Sequence, residues 1–155
     1  MTDIPTESDH INGDTLIMVR VFDAPREQVF DAWTNADLVA QWWAPAGLCT
    51  PRETVRIVAE VGGEWAATMI ADDGAEFPAH SIFTALDRPN RIELTAAPDS
   101  RMPSTLSITF EAAGGKTIMT VVNRVLTDAP ELESMVEGWA SILGKFRDAL
   151  RQVTR

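Results

Sequence analysis

Near the C-terminus, apolar side chains fall at Leu132, Met135, Val136, Trp139, Ile142, Leu143, Phe146 and Leu150. These steps of three, one, three, three, one, three and four return repeatedly to one face of an α-helix. Asp128 stands as a cap and Pro130 in the first turn, so the spacing predicts a helix over about 130–153. A stripe of that length must be covered by other apolar surface. Everything before it offers short helices and extended segments, so the surface available is that of a sheet curled around the helix.

The extended segments begin with Thr15 to Phe22 (TLIMVRVF), rich in β-branched and apolar residues. At Ala24-Pro25 the period changes. Pro25 at the first helical position and Glu27 in the first turn start a helix with Val29, Phe30 and Trp33 on its apolar face. Thr34 or Asn35 caps a second short helix through about Gln41. Trp42-Trp43-Ala44-Pro45 ends it, because a residue before proline is pushed out of the helical region. From Pro51 onward the reading is Glu53 to Val58, Trp65 to Ile70, Phe77 to Leu86, Arg91 to Ala96, Leu106 to Glu111 and Thr117 to Val125. Gly62-Gly63, Asp72-Asp73-Gly74, Asp87 to Asn90 and Gly114-Gly115 punctuate them. About seven strands joined mostly by short loops predict an antiparallel sheet. The predicted class is α+β with a helix-grip fold: a curved antiparallel sheet of about seven strands wrapped around a long C-terminal helix, with two short helices after the first strand.

A chain of 155 residues and 17.0 kDa fits one domain, expected over 14–153, with residues 1–13 as a flexible N-terminal arm. That arm is acidic where a secretory signal would be basic and then apolar, and no apolar run approaches the ~20 residues of a membrane span. The expected compartment is the cytoplasm. A net charge of -10 without a basic run argues against nucleic acid and anionic membrane as partners. Cys49, the single cysteine, excludes an internal disulfide and a Cys-rich metal site. Asp72, Asp73 and Glu76 are explained by turn chemistry, and Gly114-Gly115-Lys116 lacks the frame of a P-loop. Neither a metal nor a cofactor is expected.

The adjacent tryptophans carry the functional reading. Neighbours on a helix differ in direction by about 100°, so one of Trp42 and Trp43 can pack under the sheet while the other faces the opening beside the long helix. Trp43, nearer the exit, is expected at the mouth. Trp65 and Trp139 converge on the same interior, with Met69, Met119 and Met135 brought close by alternation and helical spacing. His80 and Ile82 complete the expected ligand-binding set. Such a lining is wide, apolar and adaptable; the alternative is that both tryptophans are core fillers and the interior is simply well packed. No catalytic residue is assigned: His10 lies in the arm, tyrosine is absent, and His80 is the one titrating group near the cavity. Glu64, Arg91, Asn123 and Arg124 flank strands with side chains that could point inward, yet their spacing forms no nucleophile-base pair.

The run VRVFDAPREQVFDAWTNADLVAQWWAP, the GGEW at Gly62 to Trp65, the strands around Ala85 to Leu94, and EGWASILGKF resemble the START-like SRPBCC superfamily. Within it they are most similar to the branch related to the C-terminal domain of the activator of the heat-shock-protein-90 ATPase. The resemblance extends from about Thr15 to Leu150. It departs before the double glycine, where relatives often carry an acidic residue and an arginine and this chain has Val58 and Glu60. It implies the helix-grip fold and a cavity, while the fold hosts carriers, enzymes and binding modules alike. Three readings follow: a protein that holds a small hydrophobic molecule, an interaction protein that modulates a chaperone-type partner in a stress response, and a cavity enzyme using His80. Self-association as a homodimer is compatible with each.

Overall fold

In a computed structural model of the chain, the described residues are 6–99, 103–125 and 132–153. The elements run β1 (Ser8–Asn12), β2 (Thr15–Phe22), α1 (Arg26–Thr34), α2 (Ala36–Trp42), β3 (Leu48–Cys49), a 3-10 turn (Arg52–Thr54), β4 (Arg56–Ile57), β5 (Glu64–Ala71), β6 (Glu76–Asp87), β7 (Arg91–Ala96), β8 (Ser104–Ala113), β9 (Lys116–Val125) and α3 (Leu132–Val153). One antiparallel sheet has the order β1-β2-β9-β8-β7-β6-β5-β3, with β4 also on β5. β5 to β9 form a continuous meander, and the excursion through α1 and α2 separates it from β2. Nine strands therefore stand where about seven are expected.

The additions are β1 and the two-residue β3. Residues 8–12 are no loose arm: Ser8 to Asn12 pair with Val19 to Thr15. Gly13, at φ +64°, supplies the left-handed step of the two-residue turn between them. Arg20 Nη1 reaches Asp9 Oδ1 at 2.7 Å, and the Glu7 carboxylate receives the Val21 N–H at 2.9 Å and pairs with Arg147 of α3. The strand read over Glu53 to Val58 is reduced to the 3-10 turn and β4. Thr54 Oγ1 donates to Pro51 O at 2.7 Å, and the backbone of Thr54 and Val55 closes onto Pro51 O and Arg52 O. Gly63 is needed for space here: a Cβ there would stand 2.1 Å from Val58 O.

The helix boundaries follow from their caps. Pro25 sits one place before α1 as its N-cap, and its carbonyl accepts from Gln28 N and Val29 N. Asn35 closes α1 with its N–H on Asp31 O and opens α2 with its Oδ1, which accepts from Asp37 N and Leu38 N. α2 ends at Trp42, and Trp43 is its C-cap. The Asp128 cap and Pro130 of the expected C-terminal helix lie outside the described residues. From Leu132 to Val153 the helix is continuous, and Trp139, Ile142, Leu143, Phe146 and Leu150 are buried.

The sheet's inner face can be read from its register. Phe83, Leu94, Leu106, Asn123 and Leu16 form one cross-strand row. Ile92, Ile108, Val121 and Met18 form the next. These rows pack toward the helices. Phe146 of α3 lies 4.9 Å from the Trp42 ring, 5.9 Å from Trp33 and 5.2 Å from Phe22, binding the long helix, both short helices and β2 into one core.

Candidate functional site

Past this packed centre, the space between the sheet and the start of α3 is unfilled. A cavity of about 380 Å³ opens there. From the helical side it is lined by Trp43, Met135, Trp139 and Ile142. Trp65 and Met69 come from β5, Phe77 to Ser81 from β6, Leu94 and Ala96 from β7, Ser104 and Leu106 from β8, and Asn123 from β9. None of these side chains is a carboxylate, an ammonium or a guanidinium.

The two adjacent tryptophans divide as the helix geometry requires. Trp42 is fully buried, packs edge-on against Trp33 at 4.7 Å, and donates its indole N–H to Ala32 O at 3.0 Å. Trp43, one residue on, turns into the cavity wall. Its ring meets Trp65 at 4.8 Å and 81° and Trp139 at 5.6 Å and 75°. Trp43 thus stands roughly perpendicular to both Trp65 and Trp139 along one side of the cavity. Trp65 is fixed by its own N–H, which donates to Trp33 O at 2.9 Å. Among the described residues, Trp43 Nε1 is buried without a hydrogen-bond acceptor. Its backbone is held instead: Trp43 N donates to Val39 O, and Trp43 O accepts from Thr50 Oγ1. α3 secures the segment that follows, with Ser141 Oγ accepting from Ala46 N at 2.7 Å and Lys145 Nζ donating to Pro45 O and Leu48 O.

Of the residues expected at the site, Trp43, Trp65, Met69, His80, Met135 and Trp139 border the cavity. Trp42, Ile82 and Met119 do not. Trp42 belongs to the core beneath. Met119 is fully buried in the sheet-helix packing, and its sulfur accepts the Trp33 indole N–H at 3.3 Å. Ile82 pairs with Glu64 and Thr95, on the strand face opposite Trp65 and Ser81. His80 shares that outer face with Ala66, and its ring is engaged at the rim: Nε2 lies 3.2 Å from Glu64 Oε2 and Nδ1 3.1 Å from Asp99 Oδ1. A neutral imidazole donates from one nitrogen only, so both contacts are hydrogen bonds at once in the imidazolium form. This arrangement ties β5, β6 and the segment after β7 together and aims no base into the cavity.

Phe77, Ala79 and Ser81 line the cavity together with His80, while Ile82 does not. Alternation is the available signal, but PAHSIF carries apolar residues in both parities and does not single out one face. Of the four polar residues flanking strands that could point inward, Asn123 does so, beside Leu106. The cavity holds the hydroxyls of Ser81 and Ser104, and among the described residues His80 is engaged by Glu64 and Asp99 and not by either serine, while no cluster of three or more His, Cys, Asp or Glu could hold a metal.

A family model described as "Activator of Hsp90 ATPase homolog 1-like protein" matches residues 23–151. The chain belongs to that family. Solved structures agree on the fold. A protein from Chromobacterium violaceum shares 23% identity and a TM-score of 0.80, over 88% of this chain and 96% of its own. The AHSA1 protein from Silicibacter pomeroyi shares 24% and 0.76, over 89% and 98%. A Rhodobacter sphaeroides protein shares 16% and 0.81, over 95% and 99%. At these identities the likeness concerns the helix-grip architecture alone. A comparison with curated proteins finds no match. Among the described residues of this family member, no helix is long and apolar enough to cross a membrane.

Proposed function

We propose that this member of the family binds a small apolar or aromatic molecule in the cavity between the sheet and α3. The observation that carries the reading is the 380 Å³ of space walled by Trp43, Trp65 and Trp139. Protein interiors are close-packed, with few voids larger than a water molecule. A chain with five tryptophans and five phenylalanines in one core has the means to fill such a space, and this one leaves it open. Its size and its mixture of apolar walls with a few polar groups are those of small-molecule sites. Catalysis has no support in the lining, which offers no nucleophile paired to a base. The family's name favours a second reading, a chaperone-type protein partner, and the two differ in what accompanies the purified chain.

Native mass spectrometry of freshly purified protein separates them. The expected result is a retained small-molecule mass that is lost on denaturation. Bare protein that also fails to bind any naphthalene-sized probe saturably would remove the ligand-binding reading.

A further inference from the structure

The polar groups of the cavity narrow the chemistry of its occupant, given the ligand-binding reading above. Asn123 is 6% exposed and is the polar member of an otherwise apolar row, Phe83-Leu94-Leu106-Asn123-Leu16. Its Nδ2 donates to Thr105 O at 3.2 Å. That bond settles which way the amide lies, since an amide oxygen cannot donate to a carbonyl. Oδ1 is left as an acceptor with no partner among the described residues. It is also not sealed in protein: the side-chain polar atoms that are both sealed and unpartnered there are Gln28 Oε1 and Trp43 Nε1. Oδ1 therefore opens onto space, and the space beside Asn123 is the cavity. Ser104 stands diagonally across the β8–β9 ladder on the same face, since Ser104 pairs with Val125 and Leu106 with Asn123.

A buried acceptor without a donor is costly, and a ligand that supplies the donor gains from meeting it. The charge of the ligand is limited by the same walls. The lining's one titratable side chain, His80, already has both ring nitrogens engaged by Glu64 and Asp99 at the rim, so a carboxylate or ammonium entering the cavity would lose hydration without gaining a free ionic partner. We infer that the occupant is an uncharged, ring-bearing molecule with a hydroxyl group, its rings against Trp43 and Trp139 and its hydroxyl donating to Asn123 Oδ1.

Three matched probes test this by calorimetric titration of the intact protein at neutral pH: 2-naphthol, 2-methylnaphthalene and 2-naphthoate. 2-Naphthol is expected to bind about 5- to 10-fold more tightly than 2-methylnaphthalene, the value of one well-placed hydrogen bond, and 2-naphthoate more weakly than either. Asn123→Leu should erase the preference for naphthol and leave methylnaphthalene within about twofold. The side-chain amide signal of Asn123 in the wild-type protein gives the same answer by NMR without any variant, shifting with naphthol and not with methylnaphthalene. Saturable but equal binding of naphthol and methylnaphthalene, or a preference that survives Asn123→Leu, would overturn the hydroxyl assignment while leaving the cavity's ligand-binding role intact. Tight naphthoate binding would overturn the neutral assignment. If none of the three binds saturably, the ligand-binding reading falls and this inference falls with it.

Discussion

At the scale of single residues, the paired tryptophans show how one helix turn can serve two ends. Trp42 is locked into the core by its bond to Ala32 O, while Trp43 is free to form a wall because the helix stops there. Trp42→Ala should cost about 3–5 kcal/mol of stability, the range for deleting a fully buried aromatic ring. Trp43→Ala should cost less and should weaken a bound naphthalene probe by about 1 kcal/mol. Chemical denaturation and probe titration of both variants check this, and equal stability losses with unchanged probe affinity would place both rings in the core. Glu7 gives a second residue-scale test. Desolvation pushes its carboxyl up, but the Val21 N–H and the Arg147 guanidinium outweigh it, and the carboxyl is held below its usual 4.5. A depressed carboxyl contributes stability that is full above its unfolded value and lost as pH falls through the folded one. The melting-temperature gap between wild type and Glu7→Gln should therefore be open near pH 7 and close as pH drops below about 4.5. A gap that widens in acid would contradict the pairing.

At the scale of elements, legibility tracked how much each segment depends on side chains. The α3 stripe was readable because burial imposes the helical period on sequence, and β2 and β9 were readable because they are dense in β-branched residues. β1 was not, since Ser8-Asp9-His10-Ile11-Asn12 is held by ladder bonds between backbones, which leave no hydrophobic signature. The Asn12-Gly13 step was the one cue to its hairpin. The segment 53–58 was read as a strand on composition, and the capping of Pro51 by Thr54 won locally. Asn35 shows the reverse: a single capping residue, one of the two candidates that the sequence offers with Thr34, divides α1 from α2. Because α3 covers the sheet, Leu143→Ala and Phe146→Ala should each lower stability by about 2–5 kcal/mol. Denaturant midpoints report this, and losses under about 0.5 kcal/mol at both positions would mean that the wrong face of α3 is assigned inward.

At the scale of the whole molecule, the sheet's curvature and the length of α3 leave a space that the side chains do not fill. The rings are arranged in two groups: Trp33, Trp42, Phe22 and Phe146 close the centre, while Trp43, Trp65 and Trp139 border the cavity. The order of elements made the helix-grip fold legible, and the family resemblance implied a cavity within it. Its exact walls were not legible, because they depend on strand parity and register, and a one-residue slip in either moves a side chain to the other face. The central claim, that this space holds a ligand, is tested most directly by following the five indole N–H signals during titration with 2-methylnaphthalene. The expected result is a saturable change at Trp43, Trp65 and Trp139 with Trp33 and Trp42 little affected. The absence of saturation, or shifts at Trp33 and Trp42 as large as those at the other three, would contradict it.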